Sequence, residues 1–245
     1  ALSSAASDVY KRQITVIGMG RYGGREVNFS SDADVIIIYR PTEEADDGQA
    51  NLFARKVQED LRAILQGPTT FEPKIELDMD LRPEGKNGPL VRSYASCEEY
   101  YRSWASTWEH QALLRARHAA GDVALAEDFL VNIADPLRYP KMDLTETQIA
   151  EIRKLKARME AERLPRGVRR ERHLKLGKGG LSDVEWTIQL LQLQHAGENA
   201  NLCVNGTLKA LDELERRRLI DAGDAVILRK AWRMCTAARN GSYLW

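Results

Sequence analysis

Gly18-Met19-Gly20-Arg21-Tyr22-Gly23-Gly24-Arg25-Glu26-Val27-Asn28-Phe29-Ser30-Ser31-Asp32-Ala33-Asp34-Val35-Ile36-Ile37-Ile38-Tyr39 decides how this chain is read. A glycine-rich turn leads to two aspartates one residue apart, and these open a continuous apolar run. Runs of that kind are strands buried on both faces. Side chains at i and i+2 of a strand point the same way, so Asp32 and Asp34 project together. Clustered carboxylates are costly unless something positive lies between them. The simplest candidate is a divalent cation such as Mg²⁺, which takes oxygen ligands and substrate phosphates. The stretch reads as a metal-nucleotide site.

Upstream, Ile14-Thr15-Val16-Ile17 is a short strand that ends in the glycine turn. Downstream, an acidic loop over 41–49 precedes an amphipathic helix over 51–66, with Phe53, Val57, Leu61 and Ile64 on one face and Gly67-Pro68 as its stop. Residues 75–81 alternate cleanly. Ile75, Leu77, Met79 and Leu81 take one face of a strand, and Glu76, Asp78 and Asp80 take the other. Spacing alone does not choose among the three acids.

From Ser96 onward the pattern is helical almost throughout. Ser96 and Glu99 form a capping-box pattern, and Trp104, Trp108, Gln111 and Arg115 continue that helix. Further helices are expected over 147–163, 184–196, 207–219 and 224–239, the second of these opened by a Ser182/Glu185 box. Trp104, Trp108, Trp186 and Trp232 are expected in the core. The mixed α/β front half gives way to a helical back half between Gly121 and Leu144.

The chain has 245 residues, of which 43% are hydrophobic, enough for one large domain or two modest ones. Lys+Arg and Asp+Glu are 36 each, so charge offers no argument for a nucleic-acid partner. Charge is nevertheless uneven, with a basic stretch over 163–178 and acidic ones over 43–47 and 76–80. Three scattered cysteines, Cys97, Cys203 and Cys235, make neither a disulfide framework nor a CxxC site and fit a reducing cytoplasm. No apolar run of transmembrane length and no signal peptide is evident. Asp8-Val9-Tyr10-Lys11-Arg12-Gln13 reads as a translated sequencing adaptor, so residues 1–13 are set aside as a scar. The stop at Tyr243-Leu244-Trp245, without a tail signal, is expected to truncate a longer protein.

Gly18-x-Gly20-x-x-Gly23 after a strand also matches the dinucleotide-binding fingerprint. That fingerprint needs a helix of several turns after its glycines and an acid about 20 residues on. Here Asn28-Phe29-Ser30-Ser31-Asp32 is turn chemistry and the acid comes too early. The arrangement instead resembles polymerase-β-like nucleotidyltransferases, in which a glycine turn precedes a strand carrying Asp-x-Asp and a neighbouring strand adds a third carboxylate. The chemistry accounts for these parts. Two metals about 3.5–4 Å apart stabilise both the attacking and the leaving oxygens of an in-line displacement. Backbone N–H groups of a glycine turn cradle the phosphates.

The stretch 18–34 is similar to the signature of glutamine synthetase adenylyltransferases, and so are Leu77-Asp78-Met79-Asp80-Leu81-Arg82-Pro83-Glu84-Gly85-Lys86, Thr107–Arg117 and His173–Trp186. The resemblance covers residues 14–245. It implies an α+β chain: a polymerase-β-like nucleotidyltransferase domain, a small mixed sheet with helices, over 14–125, then a truncated helical-bundle domain over 126–245. Family enzymes have two such halves. One transfers AMP from ATP to a tyrosine hydroxyl of glutamine synthetase and so regulates nitrogen assimilation; the other removes that AMP by phosphorolysis. Trp108-Glu109-His110-Gln111-Ala112-Leu113, and Arg163-Leu164-Pro165-Arg166-Gly167 followed by Gly177–Asp183, resemble the adenylylating C-terminal copy. A catalytically silent nucleotide-binding regulatory domain is the alternative from another class.

The resemblance selects Asp78 as the third carboxylate beside Asp32 and Asp34. These three are the expected catalytic residues and the expected ligands of two Mg²⁺, with Asp78 a candidate to accept the tyrosyl proton. Relatives commonly carry a basic residue where this chain has Asp80. Gly20, Gly23 and Gly24 shape the phosphate turn, and Arg25 and Ser31 are candidates to touch the triphosphate. Arg82 and Lys86 are candidates to neutralise pyrophosphate, against a loop pairing with Glu84. Lys175 and Lys178 precede a helix N-terminus suited to an anion. The implied partners are glutamine synthetase and a PII-type signalling protein, with no nucleic acid and no membrane, in the cytoplasm.

Overall fold

The computed structural model describes residues 12–29, 31–42, 46–67 and 74–245. The adaptor-like segment up to Lys11, Ser30, part of the acidic loop and the Pro68 helix stop lie outside the described residues. In chain order the elements are β1 (Arg12–Gly18), α1 (Gly20–Gly23), β2 (Ala33–Pro41), α2 (Asp47–Leu65), β3 (Leu77–Asp78), β4 (Val91–Ser93), α3 (Tyr94–Ser103), α4 (Thr107–Leu113), β5 (Arg117–Gly121), α5 (Val123–Asp128), α6 (Asp135–Arg138), α7 (Glu146–Glu162), α8 (Leu181–His195), α9 (Thr207–Arg216) and α10 (Ala222–Leu244). The chain is α+β, a small mixed sheet with helices followed by helices. Two compact units result. The first takes the described residues up to Val27, then Ser31–Ala105 and Arg115–Pro136; the second takes Ser106–Leu114 and Leu137–Trp245 with Asn28 and Phe29.

In the first unit β2 is central. Over Val35–Pro41 it pairs antiparallel with β1, and it pairs parallel with β3 at Ala33 and Asp34 and with β4 over Ile37–Tyr39. β5 closes the far side of β1. Val35, Ile36, Ile37 and Ile38 are each at most 1% exposed, as the continuous apolar run requires. Burying each of these side chains stabilises by roughly 1.5–3 kcal/mol. Val35, Ile37 and Tyr39 pack with Ala50 and Ala54 of α2, and with Met79 and Val91.

Several local expectations are corrected. α2 begins at Asp47 rather than Asn51, and it buries Ala50, Ala54 and Gln58 while Ile64 stays 74% exposed. Small residues win that face because the helix lies close on the β2 side chains. The strand expected over 75–81 shrinks to Leu77–Asp78. The Asp80 N–H donates to Asp78 Oδ1 at 2.7 Å and turns the chain out of the sheet. α3 is capped by Ser93, whose Oγ accepts from the Ser96 N–H, so Ser96/Glu99 is not its cap. The helix then breaks at Trp104, which is 76% exposed and not core; α4 starts afresh on a Ser106/Glu109 capping box. Arg115 therefore follows α4 rather than lying within it. β5 interrupts the expected run of helices, because Arg117-His118-Ala119-Ala120-Gly121 carries no alternation to announce a strand.

The second unit packs α8, α9 and α10 around Leu181, Val184, Ile188, Leu211, Leu214 and Trp232. α8 starts at Leu181 after Gly180, and Ser182 is 2% exposed, so the Ser182/Glu185 box does not form. α7 is opened instead by a Thr145/Gln148 box that the residue pattern did not single out.

Candidate active site

The carboxylates assemble through the sheet register. Asp34 of β2 is the direct partner of Asp78 of β3 in a parallel pairing. Directly paired residues on adjacent strands present side chains on the same face, with strands about 4.8 Å apart. Asp32, just before β2, lines a cleft of about 480 Å³ together with Glu76, Asp78 and Asp80, whereas Asp34 is not among its lining residues. Asp80 is drawn aside, its carboxylate lying 3.3 Å from Lys86 Nζ and 3.8 Å from Arg82 Nη1. Glu76, Asp78 and Asp80 nevertheless all line this one cleft, and Asp80 is the one held by basic side chains.

The glycine turn is locked beneath these acids. The Met19 N–H donates to Asp34 O at 2.8 Å, tying the turn to β2. Gly20 has φ +48°, and a Cβ there would stand 2.2 Å from Asp34 Oδ2. Only glycine lets that carboxylate lie against the backbone of the turn. At Gly23 a Cβ would meet Arg115 O at 2.0 Å and Gly18 O at 2.6 Å. The Gly24 N–H closes the turn on Gly20 O. Arg25 is exposed with φ +58°, and Ser31 is half-buried just before Asp32.

Arg117, absent from the residues singled out by sequence, clamps the same turn from β5. Its guanidinium donates to Gly23 O and Tyr22 O, both at 3.0 Å, and lies 4.9 Å above the Tyr22 ring. A cation on the closing carbonyls of α1 matches their partial negative charge. The signal was available only once β5 was recognised as a strand.

Arg82 is 7% exposed and donates to Gly88 O, Met79 O and Lys86 O. Its fork holds the 79–88 loop instead of standing open to pyrophosphate. Glu84 pairs with Arg92 at 2.8 Å, so in the alternative reading, a loop pairing of Arg82 and Lys86, the acid is Asp80 and not Glu84. Arg82→Met leaves three loop carbonyls without that donor. Hydrogen bonds to charged groups contribute about 1.5–3 kcal/mol each, and loop relaxation recovers part of that. The expected loss is about 2–3 kcal/mol, read by denaturant unfolding, and an unchanged midpoint contradicts the loop-holding role.

Lys175 and Lys178 belong to the second unit. There the Leu181 and Ser182 N–H groups already donate to Leu174 O and Lys175 O, and the Gly179 N–H donates to Asp183 Oδ2. The α8 N-terminus is thus satisfied by its own loop and its own acid, which removes the basis for the expected anion site. Burial alone raises the Asp183 pKa, but hydrogen bonds from Lys156 and Gly179 outweigh it and hold the carboxyl below its ordinary value. A wider groove of about 710 Å³ in this unit is lined largely by apolar side chains such as Ile152, Trp186, Leu190 and Ile227. Such a lining does not suit phosphate chemistry.

The acids of the first-unit cleft offer oxygen ligands of the kind a hard cation takes, beside the Gln58 amide and three basic side chains. As the side chains stand, no three His, Cys, Asp or Glu converge on one point among the described residues.

A family model for glutamate-ammonia ligase adenylyltransferase matches residues 3–132, and one for GlnD PII-uridylyltransferase matches residues 150–241. Among curated proteins, the bifunctional glutamine synthetase adenylyltransferase/adenylyl-removing enzyme of Bifidobacterium longum (strain DJO10A) is 81% identical over 232 residues, 95% of this chain and 22% of the relative. The proteins of the same description from Streptomyces avermitilis and Mycobacterium marinum are each 48% identical, over 97% and 95% of this chain and 24% and 23% of the relatives. The chain thus spans less than a quarter of the length of these relatives. No described helix is long and apolar enough to cross a membrane.

Proposed function

Because this chain belongs to the glutamate-ammonia ligase adenylyltransferase family, we propose that it transfers AMP from Mg·ATP to a tyrosine hydroxyl of glutamine synthetase. The observation that carries this reading is the pairing of Asp34 with Asp78 beside Asp32, above a glycine turn that only glycine can form. The motif likeness over 108–113 and 163–183 favours the adenylylating half.

Asp32, Asp34 and Asp78 would hold Mg²⁺, two ions in the full site, which supply Lewis-acid stabilisation of the phosphoryl oxygens. The chain's own residues do the rest. The turn at 18–24 offers the triphosphate those backbone N–H groups not spent on closing it, the ones of Met19, Gly23 and Gly24 being bonded to Asp34 O, Met19 O and Gly20 O. Asp78 accepts the phenolic proton as the tyrosyl oxygen forms its bond to the α-phosphorus. The bond from that phosphorus to the bridging oxygen breaks, and pyrophosphate leaves with the electron pair. The three free cysteines fit a reducing cytoplasm, and the likeness of 150–241 to a PII-uridylyltransferase model supports a PII-type partner.

The test incubates this chain with Mg²⁺, ATP labelled at the α-phosphate, and unmodified glutamine synthetase. Label on the synthetase is expected. Release of ADP from adenylylated synthetase and phosphate assigns the removing half instead. Absence of both reactions sinks the catalytic reading and leaves a silent domain.

A further inference from the structure

Among the basic residues that line the carboxylate cleft, two are already engaged. Arg82 spends its guanidinium on three loop carbonyls, and Lys86 sits against Asp80. The third, Arg62 of α2, lines the same cleft as Asp32 and Asp78, is exposed, and has no ion pair among the described residues. Gln58 lies one helical turn before it, on the same face of α2. Its side chain lines the cleft at only 4% exposure and has no hydrogen-bond partner among the described residues. Its amide is not among the fully buried unpartnered polar groups, so it opens to the cleft, on a face otherwise built of Ala50 and Ala54.

An available guanidinium and an unpartnered amide, stacked i to i+4 across from metal-type carboxylates, present donors where the acids present none. We infer that Gln58 and Arg62 form the pyrophosphate wall of the cleft, taking the β- and γ-phosphate oxygens of the nucleotide. This rests on the nucleotide-site reading proposed above and replaces Arg82 and Lys86 as the residues that receive the leaving group. Arg supplies a two-pronged donor to phosphate, and the Gln amide adds a neutral donor beside it. The acids hold the ion side of the substrate and α2 holds its outer phosphates, so the α-phosphorus is left open to the attacking oxygen.

The test is equilibrium binding to this chain, by calorimetry, of Mg·ATP, inorganic pyrophosphate with Mg²⁺, and AMP. Losing a charge-assisted bond to phosphate weakens binding by about tenfold or more. Arg62→Met and the near-isosteric Gln58→Glu are expected to weaken pyrophosphate and Mg·ATP by about that factor and to leave AMP within about twofold. Arg62→Lys, which keeps the charge, is expected to recover most of the loss. Pyrophosphate binding equal to wild type in both variants overturns the inference, and so does an equal loss of AMP binding, which marks a general disturbance of the cleft. Failure of the unmodified chain to bind Mg·ATP takes down the underlying site reading as well, a result distinct from either.

Discussion

Asp34→Asn is expected to lower AMP transfer by about 10³-fold while leaving thermal unfolding close to wild type. The magnitude corresponds to about 4 kcal/mol of transition-state stabilisation, since each 1.36 kcal/mol is tenfold in rate. Asp34 carries this weight because it is both the register partner of Asp78 and the acid pressed against Gly20. Its neutral amide cannot help balance the ion charge, yet it fits the same space. Asp80→Asn is the contrasting variant. Asp80 is held by Lys86 and Arg82, so its loss is expected to change the rate by less than about tenfold. Label transfer to the synthetase reads both. A pattern in which Asp80→Asn is the silent enzyme and Asp34→Asn the active one refutes the assignment of Asp78 and Asp34 as the working pair.

Gly23→Ala is expected to destabilise the first unit by about 3 kcal/mol or more, the upper range for forced overpacking. The added Cβ meets the Arg115 carbonyl oxygen at 2.0 Å and the Gly18 carbonyl oxygen at 2.6 Å. Both are backbone atoms. Gly18 pairs with Val35 in the sheet, and Arg115 lies two residues before Arg117, which is itself bonded to the turn. Neither can retreat without breaking those bonds. Gly241→Ala in α10 is the control, because a Cβ there meets nothing within 4 Å. A helical Gly→Ala change is neutral or stabilising by up to about 1 kcal/mol. Denaturant unfolding measures both, and a Gly23→Ala chain as stable as the Gly241→Ala chain would contradict the locked turn.

Where the sequence was legible, one physical pattern dominated locally. Val35 to Tyr39 could only be a doubly buried strand, and the glycines before Asp32 mark a tight bend, which the structure closes as the single helical turn α1. Legibility failed where two patterns competed. Residues 75–81 alternate like a strand, but the Asp78 carboxylate captures the Asp80 N–H and ends the pairing after two residues. Trp104 reads as core by type, yet the break between α3 and α4 leaves it 76% exposed. Arg117-His118-Ala119-Ala120-Gly121 has no strand pattern, because β5 owes its place to pairing with β1 and not to its own side chains.

The same division runs through the site. The sequence by itself determined that Asp32 and Asp34 stand two residues apart at the entry to β2 and that a glycine-rich bend precedes them. Those relations span only a few residues and follow from chain connectivity and backbone sterics. Tertiary structure set Asp78 opposite Asp34, where spacing leaves Glu76, Asp78 and Asp80 open and only the family resemblance chooses, since that is a matter of register between residues 44 apart. It alone turned Arg82 inward and brought Arg62 and Gln58 to the cleft. A side chain's availability depends on which partners reach it first, and those partners come from elements that no local spacing connects.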